Sequence, residues 1–193
     1  MHCYSGSVEM AKKYGVELVV RSSLNRSEGT VIKEKVKMEK MLISGVAADK
    51  NVAKIRVAGL GNDPESTFRL LNLLDRNNLN IDVMIQSLGK DGTKSVSFTV
   101  AKPDMLRTID VLNDNKDLLG IKKLDYDENV AKVSVIGAGV RSHSGVAAKM
   151  FGALANAGIN TEMVTTSEIR ITALIDEAYA DQAMRAIHET FLE

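Results

Sequence analysis

One plan occurs twice in this chain, and that repetition constrains the fold more than any other feature. Residues 53–57 (AKIRV), with Gly59 beyond them, match residues 131–135 (AKVSV), with Gly137 beyond them, and 78 positions separate Lys54 from Lys132. Leu79-Asn80-Ile81 matches Ile159-Asn160-Thr161 with 80 positions between Asn80 and Asn160, so the second copy gains two residues in the intervening loop. Self-similarity at a fixed offset marks a duplicated structural unit.

Each copy opens on a β-branched strand that ends in glycine, passes a short polar loop and enters an amphipathic segment. Residues 64–77 place Phe68, Leu71 and Leu74, with Leu70 beside them, at the spacing of one helical face. Residues 144–157 do the same with Val146, Met150, Phe151 and Leu154. Turns at Asn77-Asn78 and Ala157-Gly158 lead into second strands over 80–87 and 160–166. Asp91-Gly92 predicts a two-residue hairpin into a third strand over 94–100, and Ser167-Glu168 a turn into 169–175. Second helices follow over 102–113 and 177–191, and 120–125 closes the first copy. The order β-α-β-β-α-β is the ferredoxin-like unit. The predicted fold class is therefore α+β: two tandem modules, each an antiparallel sheet with helices on one face.

Residues 1–39 do not follow this plan. Residues 7–14 have helical spacing and end at Gly15. A β-rich run spans 16–21, a brief returning strand spans 30–32, and 33–40 form a charged connector. The piece is too small to bury a core of its own.

Several function classes are excluded by composition. Lys+Arg and Asp+Glu number 25 each, so no basic excess exists for nucleic acid. Four Tyr, four Phe and no Trp give no stacking platform for bases. Cys3 is the one cysteine, which rules out a disulfide framework and a thiolate zinc site. No run of about 18 apolar residues spans a membrane, and the first residues lack the apolar stretch of a signal peptide. A cytoplasmic location is expected.

Gly137-Ala138-Gly139 after a strand resembles a dinucleotide-binding loop, which a dehydrogenase would use. Ser142 holds the third glycine position, however, and Gly59-Leu60-Gly61 sits at the matching place in the first copy. A shared scaffold feature accounts for both. His2, His143 and His188 form no zinc or nucleophile pattern, and His188 reads as a surface residue of the last helix. No catalytic residue and no metal ligand is expected. A small-molecule site is the better reading. The loops 62–67 and 141–147 offer backbone N–H groups at helix starts to a carboxylate. The carboxylates Asp63, Glu65, Asp82, Glu162 and Glu168 could receive an ammonium, with Gln86, Thr165, Thr166 and Ser167 as neutral polar contacts.

Four stretches, GVAADKNVAKIRVAGL, LNIDVMIQS, VSVIGAGVRSHSGVAAKMFGALANAGIN and TTSEIRITALI, resemble the regulatory half of bacterial aspartate kinases. SVEMAKKYGVELVVRSS and EGTVI resemble the end of that family's kinase domain. The resemblance implies tandem ACT modules: a first over 52–125, and a second over 40–51 plus 126–193, whose sheet takes the strand 43–49. It assigns 1–39 to the end of the kinase domain. The family phosphorylates the aspartate side chain from ATP, but its N-terminal K-F-G-G-T-S segment is absent here. ATP and magnesium are thus implied only for a kinase domain outside this chain, and no cofactor for this region. A fragment of a longer chain is expected ahead of a separate regulatory subunit. The implied partners are a catalytic kinase domain or subunit, a second copy in a homodimer formed through ACT modules, and lysine or threonine as effector.

Family positions carry over unevenly. Threonine-binding members read Asp-x-Pro-Gly where this chain reads Asn62-Asp63-Pro64-Glu65, with Thr67 closing the loop. Gln86 and Asn160 match, and Thr161 replaces an aliphatic residue. The lysine-binding positions resemble Asp82, the loop Ser142, His143, Val146 and Ala147, and Thr166-Ser167-Glu168. Ser144 there replaces a proline, and Ala147 a threonine. Lysine needs one more carboxylate than threonine, because an unpaired ammonium is costly to desolvate. Asp82, Glu162 and Glu168 can supply it, which places lysine first.

Overall fold

The computed structural model describes residues 18–20, 30–32, 43–138, 140 and 145–192. The chain divides into two compact units, Met1–Met41 and Leu42–Glu193. In the first unit β1 (Leu18–Val20) and β2 (Thr30–Ile32) pair antiparallel, Val19 opposite Val31. The helix expected over 7–14 lies outside the described residues.

The second unit holds two four-stranded antiparallel sheets. Its elements run β3 (Gly45–Asp49), β4 (Val52–Leu60), α1 (Pro64–Arg76), β5 (Met84–Leu88), β6 (Lys94–Ala101), α2 (Met105–Asp114), the single turn α3 (Lys116–Leu119) and β7 (Lys123–Asp127). They continue with β8 (Val130–Ile136), α4 (Gly145–Asn156), β9 (Met163–Thr166), β10 (Arg170–Asp176) and α5 (Ala180–Leu192). The sheet orders are β5-β6-β4-β7 and β3-β8-β10-β9. β3 precedes β4 in the chain yet pairs with β8, and so fills in the second sheet the place that β7 fills in the first.

The chain therefore crosses between sheets twice, at Lys50-Asn51 and Glu128-Asn129. The two crossings are built alike. Asp49 accepts the Asn51 N–H at 2.9 Å, and Asp127 accepts the Asn129 N–H at 2.9 Å. A carboxylate that caps the backbone two residues on makes a tight, self-satisfied turn.

Alternation along the strands splits the apolar residues between two faces. Ala53, Ile55 and Val57 join Leu70, Leu74, Phe98 and Leu112 in the first core, while Val133, Val135, Met150, Leu154 and Ile187 anchor the second. The opposite faces meet in a third cluster of Val52, Val130, Met163 and Leu174, against which Val83 and Ile85 pack.

Three local details depart from the expectations. In α1 the buried stripe is Ser66, Leu70 and Leu74, and Phe68 is 65% exposed. The Asp63 N-cap accepts the Glu65 N–H at 3.0 Å and fixes where the helix starts. Phe68 lies about 160° round the helix from Leu70, so the face that buries Leu70 and Leu74 turns it to solvent. Two-residue closure at Asp91-Gly92 gives way to a loop between Leu88 and Lys94. Asp91 accepts both the Thr93 N–H (3.1 Å) and its hydroxyl (2.9 Å), and the Gly89 N–H donates to the Thr93 carbonyl at 2.7 Å. The strands expected over 80–87 and 160–166 start only at Met84 and Met163. Ahead of Met84 the chain stays bonded to Thr99, whose carbonyl accepts the Asp82 N–H (3.1 Å), whose N–H donates to the Val83 carbonyl (2.9 Å) and whose hydroxyl accepts the Val83 N–H (3.1 Å).

Candidate functional site

The site residues expected from the sequence fall into separate places. At the start of α1, Asp63 caps the helix with its own carboxylate, which occupies the position a ligand anion would take. The Ser66 hydroxyl donates to the Gly61 carbonyl at 2.5 Å, and Lys94 donates to the Asp63 carbonyl at 2.8 Å. Glu65 is exposed and pairs with Arg69 at 2.8 Å, one helical turn on. Asn62 is exposed beside it. The Thr67 hydroxyl donates to Gln86 Oε1 at 2.7 Å and ties the helix to the edge strand β5.

In the second module, Ser142 and His143 lie outside the described residues. Val146 is buried in the module core, and the half-buried Ala147 packs against it. Asn160 and Thr161 are exposed ahead of β9.

A second group does converge. Asp82 of the first module and Thr166 and Ser167 of the second line one cleft of about 510 Å³. Its floor is the helix-free face of the second sheet: Ala47, Ser134 and Thr172, the last two joined by a buried hydroxyl–hydroxyl hydrogen bond of 2.8 Å. Asp49, Lys132, Thr165 and Arg170 complete the charged and polar lining. Glu168 follows Ser167 and is exposed.

Lys132 dominates the electrostatics of this cleft. Its side chain is only 16% exposed, and its ammonium pairs with Asp82 and, at 3.1 Å, with Asp49. Burial pulls the Lys132 pKa down, but the hydrogen bonds and charges of Asp82 and Asp49 outweigh it and hold the ammonium above its ordinary value. For Asp49 burial works upward, and the Asn51 N–H and Lys132 prevail and hold the carboxyl low. Glu162 is engaged in the same way, by Lys54. Two of the carboxylates expected to receive a ligand ammonium are thus held by the chain's own lysines.

Lys54, Lys132, Asp49 and Arg170 were not among the residues expected at a site. The signal for the two lysines was present, since they take the same second place in the repeated AKIRV and AKVSV segments. Among the described residues no group of His, Cys, Asp and Glu is placed to hold a metal ion. None of the described helices is long and apolar enough to cross a membrane.

Comparison with known proteins gives this arrangement a family. Residues 133–191 match an ACT domain family. The aspartokinase of Helicobacter pylori is 42% identical over 190 residues, which cover 96% of this chain and 46% of that protein. The chain thus spans about half the length of the curated relatives it matches. Among solved structures, the regulatory subunit of aspartate kinase from Thermus thermophilus in its ligand-free form is 33% identical, with a TM-score of 0.73 over 78% of this chain and 99% of that one. A structure of aspartokinase alpha and beta subunits is 42% identical, with a TM-score of 0.72 over 77% of this chain and 98% of that one. With that identity along nearly the whole regulatory subunit, and with two ferredoxin-like sheets in tandem, the chain belongs to the aspartokinase family as its ACT-domain regulatory region.

Proposed function

We propose that this region senses an end product of aspartate-derived amino-acid synthesis and feeds that signal to a kinase domain or subunit. Lysine is the first candidate effector and threonine the second. The site would lie at an interface between ACT modules, in a cytoplasmic enzyme that dimerises through those modules. The observation that carries the reading is the cleft between the two modules, which Asp82 lines from one side and Thr166 and Ser167 from the other. A free amino acid brings an ammonium and a carboxylate, and the cleft lining holds both signs of charge. Lysine carries a second ammonium, which favours Asp82 as its receiver. Binding that differs between an active and an inactive arrangement would shift the enzyme by linkage.

Calorimetry of the chain with lysine, threonine and methionine tests this. Heat with lysine, weakened by roughly 1–3 kcal/mol in Asp82→Ala, is expected from loss of one charged contact. A specific observation favours a second reading, a dimerisation module without effector binding: Asp63 caps α1 itself, Glu65 stands in the loop, and Asp82 and Glu162 are held by lysines. A well-folded dimer that gives no heat with any of the three amino acids would establish that reading instead.

A further inference from the structure

The two modules meet through contacts that exchange equivalent positions. Lys54 of the first module reaches Glu162 of the second, and Lys132 of the second reaches Asp82 of the first. The repeat equates 54 with 132 and 82 with 162, so each bridge is the other with its modules exchanged. This is the self-complementary geometry of a two-fold dimer interface, realised inside one chain.

The surroundings of the two bridges differ. Next to Lys54, the cross-strand neighbours Arg56 and Asp125 pair with each other at 3.7 Å. At the equivalent place next to Lys132, the cross-strand neighbours are Ser134 and Ala47. Small side chains where the other module carries an ion pair leave the 510 Å³ cleft open beside the Lys132–Asp82 bridge. Asp82 is 57% exposed, so an incoming charge reaches it without entering a dry interior, and Lys132 has Asp49 to fall back on.

We propose that the Lys132–Asp82 bridge is an exchangeable latch: a ligand ammonium entering the cleft takes over Asp82, Lys132 retreats to Asp49, and the face between the modules loosens. The ligand step rests on the reading that an effector ammonium is received at Asp82. Lys132 then acts as a built-in competitor, and the affinity a ligand shows is reduced by the fraction of chains in which the latch is closed. The Lys54–Glu162 bridge, whose neighbours Arg56 and Asp125 hold each other, serves as the fixed side of the same face.

The test uses the 193-residue chain with Cys3→Ser and spin labels at Asp110→Cys and Arg185→Cys, two exposed helix positions, one in each module. Without ligand, Lys132→Glu is expected to broaden and lengthen the inter-label distance, because it sets a carboxylate against Asp82 and Asp49. Lysine added to the unsubstituted latch is expected to shift the distance in the same direction. Lys132→Met is expected to bind lysine several-fold more tightly by calorimetry. Lysine binding with an unchanged distance, and with equal affinity in Lys132→Met, overturns the latch while leaving the effector reading standing. Absence of lysine binding in every variant overturns the effector reading and the ligand step with it. A distance that Lys132→Glu leaves unmoved overturns the latch whatever the ligand does.

Discussion

Lys102 and Glu177 occupy the same position of the two modules and meet each other at 2.7 Å. Each follows the last residue of its third strand: Ala101 lies opposite Val52, and Asp176 opposite Val130. Their backbones repeat the match, since the Lys102 N–H donates to the Asn51 carbonyl (3.4 Å) and the Glu177 N–H to the Asn129 carbonyl (2.9 Å). A residue that contacts its own equivalent sits on the axis of an approximate two-fold. At that one place duplication had to become asymmetric, because two lysines or two glutamates would repel.

Charge exchange on this axis should therefore be tolerated, and charge duplication should not. Lys102→Glu is expected to lower stability by roughly 1 kcal/mol, the upper range for a partly exposed ion pair. Adding Glu177→Lys should return most of the loss. Urea unfolding of the two single variants and the double variant measures the coupling. A double variant no more stable than the singles would show that the pair contributes nothing.

The Lys132 cluster gives the chain a signature at both ends of the pH scale. The Lys132 pKa is raised from 10.5, so its stabilisation is fully present below that value and is lost as pH rises through the higher folded value. The Asp49 pKa is lowered from 3.8, so its contribution is present above 3.8 and is lost as pH falls through the lower folded value. Urea midpoints followed from neutral pH to above 10.5 should fall less steeply in Lys132→Met than in the unsubstituted chain. In the acid range, Asp49→Asn should remove part of the decline. Parallel curves for variant and parent would remove Lys132 from the alkaline limb.

The repeat made the modules legible because it was written in strand and helix periods. The βαββαβ order follows from alternating AKIRV and AKVSV strands and from the glycine after each. The crossing of β3 to the second sheet carries no local signature; it came from family resemblance, and the β3–β8 register displays it. The site was harder to read for a physical reason. Asp82 and Glu162 were legible as carboxylates near second strands, yet what engages them comes from 50 and 108 positions away. Only the packing of two sheet faces brings Lys132 and Lys54 there. The sequence does hold that contact in coded form, because equivalent lysines and equivalent acids recur at nearly one offset. Phe68 departs for a different reason: it lies about 160° round the helix from Leu70, so it cannot share the face that buries Leu70 and Leu74.

Which face α1 buries is testable by truncation. Leu74 is 1% exposed, in the i, i+4 row after Ser66 and Leu70. Leu74→Ala should cost about 2–5 kcal/mol through lost burial and a cavity. Phe68 is 65% exposed, so Phe68→Ala should stay within about 0.5 kcal/mol. Thermal or urea denaturation decides between the two rows. Equal losses at the two positions would mean that α1 presents its other face to the sheet.

Gly59 supplies the last case, since the glycines after the strands looked like a nucleotide loop. It sits in β4 at φ +89°, where the pairing with β6 shifts between Ala58 and Leu60. A Cβ there would lie 2.5 Å from the Cβ and Cγ of Lys122, whose N–H donates to the Ala58 carbonyl at 2.9 Å. Backbone sign and close approach both demand glycine, for the bulge and not for a phosphate. Gly59→Ala is therefore expected to destabilise the chain by about 1–3 kcal/mol. Adding Lys122→Gly should relieve the clash but not the backbone strain, so the double variant should recover only part of the loss. Full recovery would show that positive φ at residue 59 carries no cost, and no loss in Gly59→Ala would show that the bulge is not needed.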